Sequence, residues 1–186
     1  LGQSLGLTAE LEGSLFPDTY QYMLGDSDLD ILKLAVRKMK QVLGDEWNGR
    51  AMTAVSTPFD ALILASMIEK ETGYGPDREK IASVFHNRLD TGMKLQSDPT
   101  VIFGLGAGFD GDLKRSHLKS DTPYNTYTRT GLPPGPICSP GRASINAARG
   151  GSSHPYFYFV AMGDGKSYFS VSLEEHNKAV NRYQKK

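Results

Sequence analysis

Residues 57–73, TPFDALILASMIEKETG, are apolar almost all round at Ala61, Leu62, Ile63, Leu64, Ala65, Met67 and Ile68, which predicts a helix enclosed by the domain. Thr57 as cap, Pro58 at the first helical position and Asp60 in the first turn mark its start, and Gly73 marks its stop. Residues 26–43 have a different, amphipathic pattern. Leu32, Ala35, Val36, Met39 and Leu43 form one stripe, Arg37, Lys38 and Lys40 face water, Asp28 is expected to cap the helix and Gly44 to end it. Before it, residues 11–22 read as a turn at Pro17-Asp18 between short extended pieces, and residues 45–56 read as a polar connection.

Beyond Gly73 the run GYGPD is a tight link into a helix at residues 77–89, with Ile81, Val84, Phe85 and Leu89 on one face. The two helices are expected to form a hairpin whose loop brings Tyr74 and the second helix's N-terminus beside Glu71. Gly92 breaks the pattern, and residues 93–104 follow as an extended piece entering a short helix, with Asp98 before Pro99 as an N-cap signature. Residues 104–141 are rich in Gly, Pro, Asn, Thr and Tyr, with a short helix at 115–119; a loop of this length that carries aromatics reads as an ordered, substrate-binding wall. A short helix at 143–149 closes on Gly150-Gly151. Residues 156–161, YFYFVA, give the strongest strand signal, and a GDG turn returns the chain through residues 167–171 as a hairpin. Ser172 and Glu175 form a capping box for a last helix. The fold class is α+β: a helical hairpin, a small antiparallel β element and long ordered loops.

Composition removes several function classes. The 186 residues suffice for a single domain, residues 1–186, with a real core. Lys+Arg and Asp+Glu both number 21, so no nucleic-acid surface is indicated, and the four His lack metal-ligand spacing. Neither a metal nor a cofactor is expected. The single Cys138 excludes an internal disulfide and leaves the compartment open. No apolar run reaches membrane-spanning length, and the opening LGQSLGL without Met suggests a fragment whose anchor lies elsewhere.

The candidate chemistry centres on Glu71. It continues the stripe of Leu64, Met67 and Ile68 at helical spacing and so projects from the buried side, in the last turn of the helix. Burial and the negative end of the helix dipole both raise its pKa. A carboxylic acid that stays protonated near neutral pH is what glycosidic cleavage needs, because the leaving oxygen must receive a proton. Glu69 shares a face with Leu62, Ala65 and Ser66 and is the weaker candidate. The alternative for Glu69-Lys70-Glu71 is a solvated helix end.

Two further groups carry polar chemistry. Gln96, Ser97, Asp98 and Thr100 in LQSDPTV place short side chains where sugar hydroxyls can be bound; Asp98 is either a helix cap or a second carboxylate. Tyr124, Asn125, Thr126 and Tyr127 in PYNTY offer ring faces and polar edges for a glycan, or else pack beneath the loop. His86, His117, His154 and His176 give no sign of acting as bases, and Cys138 has no evident activating base. The Gly-rich stretches match neither a phosphate loop nor a dinucleotide fingerprint, and no Ser sits in a nucleophile elbow.

The ordered set LEGSLFPDTY, IEKET, ASVFHNRL, LQSDPTVIFG, TPYNTYTRTGLPPGPICSPG, HPYFYFVA and HNKAV resembles the endolytic murein transglycosylases, the MltG or YceG-like family, over nearly the whole chain. The resemblance implies that the catalytic glutamate is the second Glu of EKET, here Glu71, in a lysozyme-like site arrangement. It implies non-hydrolytic cleavage between N-acetylmuramic acid and N-acetylglucosamine in peptidoglycan glycan strands, giving 1,6-anhydro ends, without a cofactor. It also implies work beside penicillin-binding synthases at the extracytoplasmic face of the bacterial cytoplasmic membrane, through a single-pass anchor and a LysM-like region outside this chain. A lysozyme-like muramidase using Asp98 and an inactive glycan-binding scaffold are the alternatives.

Overall fold

Every residue from Ala61 to Ile68 is buried, and the other elements are laid around that rod. The computed structural model describes residues 11–47, 55–151 and 153–184; residues 48–54 of the connection predicted at 45–56 and the opening segment 1–10 lie outside them. In chain order the helices are α1 (Asp28–Glu46), α2 (Pro58–Glu71), α3 (Arg78–Asp90), α4 (Asp98–Leu105), α5 (Arg115–Lys119) and α6 (Arg142–Arg149). The antiparallel hairpin of β1 (Tyr158–Ala161) and β2 (Ser167–Ser170) and a final helix, α7 (Leu173–Tyr183), complete an α+β fold.

Helix α2 starts as its sequence predicts. Thr57 accepts from the Asp60 backbone N–H, and the Asp60 carboxylate accepts from that of Thr57, so two otherwise unpaired donors are satisfied at once. It ends two residues before the expected Gly73: Thr72 leaves in extended conformation, φ −147° and ψ 135°. At α1 the cap is Ser27 rather than Asp28, because Ser27 forms the reciprocal box with Asp30; the helix also runs past Gly44 to Glu46, since one exposed glycine costs only about 1 kcal/mol. Val42 joins Ala35, Val36 and Met39 as buried, while Leu32 and Leu43 are only half-buried.

Polar groups fasten the neighbours to α2. The Ser66 hydroxyl donates to the Ile63 carbonyl at 2.7 Å and accepts from the Ile137 N–H at 3.0 Å, and the Cys138 thiol donates to the Ser66 carbonyl at 3.2 Å. The proline-rich loop therefore lies ordered along the rod. It is also gripped from the other side: Gly13 adopts φ +75°, and a Cβ there would fall 2.5 Å from Pro136. Glu69 accepts from the Gly141 N–H at 3.0 Å and the Ser144 hydroxyl at 2.7 Å and pairs with Arg78 at 3.7 Å. A carboxylate at the N-terminus of α6 is favoured by the helix dipole. Glu69 is thus an anchor.

Helix α3 positions the hairpin. Its Asn87 side chain donates to the carbonyls of His154 and Tyr156, and Arg88 Nε donates to that of Phe157 at 2.7 Å. Asp77, just before α3, accepts from the Ser167 N–H at 2.9 Å, and Phe85 meets Phe159 edge to face. Pairing of Phe159 with Phe169 and Ala161 with Ser167 sets the register, with Gly163 and Gly165 at positive φ in the turn. The strands are shorter than the apolar pattern suggested, because Phe157 bonds to Ser170 only at its N–H while its carbonyl is taken by Arg88. Ser172 caps α7 by accepting from the Glu175 N–H, whereas the Glu175 carboxylate reaches Val171 and leaves the predicted box open.

Leu64 is fully enclosed at the middle of α2. Leu64→Ala is expected to lower unfolding stability by about 2–5 kcal/mol, read from the denaturant midpoint; a loss under about 1 kcal/mol would mean that α2 is not the centre of the core.

Candidate active site

Glu71 is the last helical residue of α2, and its Oε1 accepts a hydrogen bond from the Ser97 hydroxyl at 2.5 Å. Ser97 occupies the cap position of α4 but makes no side-chain cap bond. Asp98 is therefore the first helical residue and not the cap; its carboxylate accepts from the Tyr127 hydroxyl at 2.5 Å. Just before them, Gln96 holds φ +52°, the one positive φ outside glycine among the described residues. That costly conformation turns the exposed Gln96 side chain away from the buried Leu95 and Ser97 on either side.

Buried threonines hold this turn. Thr126 Oγ1 accepts from the Ser97 N–H at 2.9 Å, and the Thr126 carbonyl accepts from the Gln96 N–H at 3.1 Å. Thr100 donates its hydroxyl proton to the Ser97 carbonyl at 2.7 Å, so in the Thr100–Thr126 contact at 2.8 Å it is Thr126 that donates. Asn125 is wholly buried. Its amide donates to the carbonyls of His117, Leu118 and Ser120, and its oxygen accepts from the Tyr127 N–H. Tyr124 packs its ring on Phe103 with centroids 4.7 Å apart. Thr100, Tyr124, Asn125 and Thr126 thus lie behind the site and shape it, while Gln96, Asp98 and Tyr127 face it with Glu71.

The shared space is a cavity of about 420 Å³. One wall is polar: Glu71, Arg88, Gln96, Asp98 and Tyr127. Phe159, Val160, Ala161 and Ser167 of the hairpin form the other, closed by His176, Val180 and Gln184 from α7 and its exit. Tyr74, expected beside Glu71, does not line it; the side chain that α3 contributes is Arg88, from its last turn. Arg88, His176 and the hairpin residues were not picked out from the sequence. Arg88 falls at helical spacing from Ile81 and Phe85, so an arginine on an apolar stripe was the signal present. His176 and the strand residues carry no local signal of their own.

Electrostatics set the state of Glu71. Burial pushes the Glu71 carboxyl up to about 7, and the Asp98 charge adds to this, while the Ser97 hydrogen bond and the Arg88 guanidinium act against it. Burial, and then the bond to Asp98, raises the Tyr127 phenol, so Tyr127 keeps its proton and remains the donor. Burial, reinforced by Arg88, lowers His176 and keeps its imidazole neutral near pH 7. Among the described residues no group of three or more His, Cys, Asp or Glu is placed to hold a metal. The arrangement can deliver one proton from a half-buried carboxylic acid and take one back.

Comparison with known proteins gives a consistent set. The model of the YceG-like family matches residues 2–182. An endolytic murein transglycosylase of Bacillus subtilis is 42% identical over 174 residues, covering 93% of this chain and 48% of that protein. One from Streptococcus pneumoniae is 32% identical over 180 residues, covering 94% of this chain and 32% of that protein. A crystal structure of a yceG-like protein from Listeria monocytogenes superposes with a TM-score of 0.79 at 38% identity, over 95% of this chain and 58% of that one. The chain spans half or less of the length of these curated relatives.

Two outcomes follow from the Glu71 environment. Its folded pKa of about 7 lies above the ordinary 4.5, so its contribution to stability is complete below about pH 4.5 and is lost as pH rises through 7. Glu71→Gln should therefore gain stability relative to the parent between pH 5 and pH 8, by up to about 3 kcal/mol, in denaturant titrations at the two pH values; parallel curves would rule out the raised pKa. Ser97→Ala removes the strongest influence lowering that pKa, and the Glu71 carboxyl followed by carbon NMR should titrate higher than in the parent.

Proposed function

The chain belongs to the YceG-like family, and from that premise we propose that it cleaves the β-1,4 bond between N-acetylmuramic acid and N-acetylglucosamine within peptidoglycan strands, without consuming water. The observation that carries this reading is Glu71: a carboxyl raised to about 7 at the exit of a buried helix, opening on a cavity shared with Gln96, Asp98 and Tyr127. The names of the relatives, endolytic murein transglycosylases, support the substrate class.

In the first half of the reaction the protonated Glu71 gives its proton to the glycosidic oxygen as the bond to the muramyl anomeric carbon breaks. The resulting carboxylate is stabilised by the Ser97 hydroxyl and by the field of Arg88. In the second half it takes the proton of the muramyl C6 hydroxyl while that oxygen attacks the anomeric carbon, closing the 1,6-anhydro ring and restoring the acid. The nucleophile belongs to the substrate, so the reaction gains the advantage of an intramolecular step and needs no second carboxylate to activate water. Asp98, bound to Tyr127, holds the rim of the cavity and adds to the Glu71 pKa. Gln96 and Tyr127 contact the sugars, with Ser97, Thr100, Tyr124, Asn125 and Thr126 holding them in place.

Work on nascent strands at the extracytoplasmic face of the cytoplasmic membrane, beside penicillin-binding synthases, belongs to the same proposal. No described helix is long and apolar enough to cross a membrane.

Incubating the protein with uncrosslinked glycan strands should yield products lighter by one water than hydrolytic fragments, as read by mass spectrometry. Glu71→Gln should slow their appearance by at least 10²- to 10⁴-fold, about the worth of a general acid–base group. Activity should fall as pH rises through about 7. Ends carrying the added water would replace this reading with a muramidase in which Asp98 serves as the second carboxylate.

A further inference from the structure

One charged group of the cavity, Arg88, forms no ion pair among the described residues. Arg88 is only 7% exposed. Its Nε donates to the Phe157 carbonyl at 2.7 Å, and its Nη1 donates to the carbonyls of Leu95 at 2.7 Å and Lys94 at 3.4 Å. The guanidinium lies over the Tyr158 ring, 5.3 Å from its centroid. These contacts lock its position, and its two remaining N–H groups, on Nη2, have no acceptor among the described residues. Nor does any carboxylate form an ion pair with it: the pairs among the described residues join other side chains, and Glu71 acts on it only through the longer-range field. Asp98, the other acid of the cavity, accepts from Tyr127.

A buried cation held by neutral carbonyls is positioned but not neutralised, and such a charge is costly unless an acceptor is supplied. Here the open side of the guanidinium is the cavity itself. We infer that Arg88 is a specificity-determining residue that binds the carboxyl oxygens of the lactyl arm on the muramyl sugar at the bond to be cut. This rests on the glycan reading of the site. Both sugars of the strand carry a neutral acetamido group; only the muramyl sugar carries a lactyl carboxyl, as a free carboxylate or as the carbonyl of its peptide amide. A planar fork of N–H donors suits that group. Because Arg88 and Glu71 open on one cavity, holding the arm fixes which of the two alternating β-1,4 linkages meets the acid.

The test uses Glu71→Gln protein, which leaves strands uncut, and three ligands of equal length: a peptide-free glycan strand, the same strand with its lactyl carboxyls reduced to alcohols, and a chitin oligosaccharide. Calorimetry should show the unreduced strand binding about tenfold more tightly than the other two, the worth of one charge-assisted hydrogen bond. Adding Arg88→Lys should bring that strand down to the level of the other two while chitin binding persists, which also reports that the variant is folded. Equal affinity for reduced and unreduced strands, a comparison that leaves Arg88 untouched, overturns the assignment alone. A tenfold preference that survives Arg88→Lys overturns it as well. Failure to bind any of the three glycans would instead bring down the function from which it proceeds.

Discussion

The hydrogen bond from Ser97 to Glu71 joins the end of a buried helix to the start of another, and the surrounding structure is arranged to permit it. A carboxyl at the exit of α2 is stripped of water on most sides, and it keeps a single described hydrogen-bond partner. Ser97 can supply that partner only by giving up the capping of its own helix. The loss is small, because Pro99 stands in the first turn of α4, where it has no N–H to leave unpaired. The backbone of Ser97 must then be held from behind, which is the task of Thr126 and Thr100, and Asn125 in turn holds the loop that carries Thr126.

Glu69 and Glu71 lie two residues apart on α2 and therefore about 200° apart around it. That rotation gives them opposite fates. Glu69 turns toward the α6 N-terminus, where two hydrogen bonds and an arginine hold it. Glu71 turns toward the cavity, where burial favours its neutral form. The same helix thus uses one acid in assembly and turns the other into the cavity, and neither can take the other's place without a change of helix orientation.

The cavity also separates its charges by distance and hydrogen bonding. Tyr127 takes up one oxygen of Asp98 and stays protonated, which leaves that carboxylate occupied at the rim. Arg88 is fixed by backbone carbonyls of two segments, the one before β1 and the one before α4, so the hairpin and the Glu71 turn are registered against each other through one side chain. His176, neutral and stacked on Tyr158, completes the far wall without adding charge.

Local pattern was sufficient for the elements and for the acid. The apolar wrap of α2, the cap at Thr57, the stripe of α3 and the aromatic run before the GDG turn are short-range features, and each reads directly as structure. Glu71 was legible for the same reason, since helical spacing alone puts it on the side of Leu64, Met67 and Ile68. Which polar residues face the cavity was not legible. PYNTY and LQSDPT are rich in small and aromatic polar side chains, and only the bonds from Thr126 to Ser97 and Gln96 and the carbonyls around Asn125 decide that Tyr127 and Asp98 look inward to the site while Asn125, Thr126 and Thr100 look away. Arg88 and the strand residues reach Glu71 from positions far along the chain, and such meetings depend on how packed elements cross, which no window of neighbouring residues encodes.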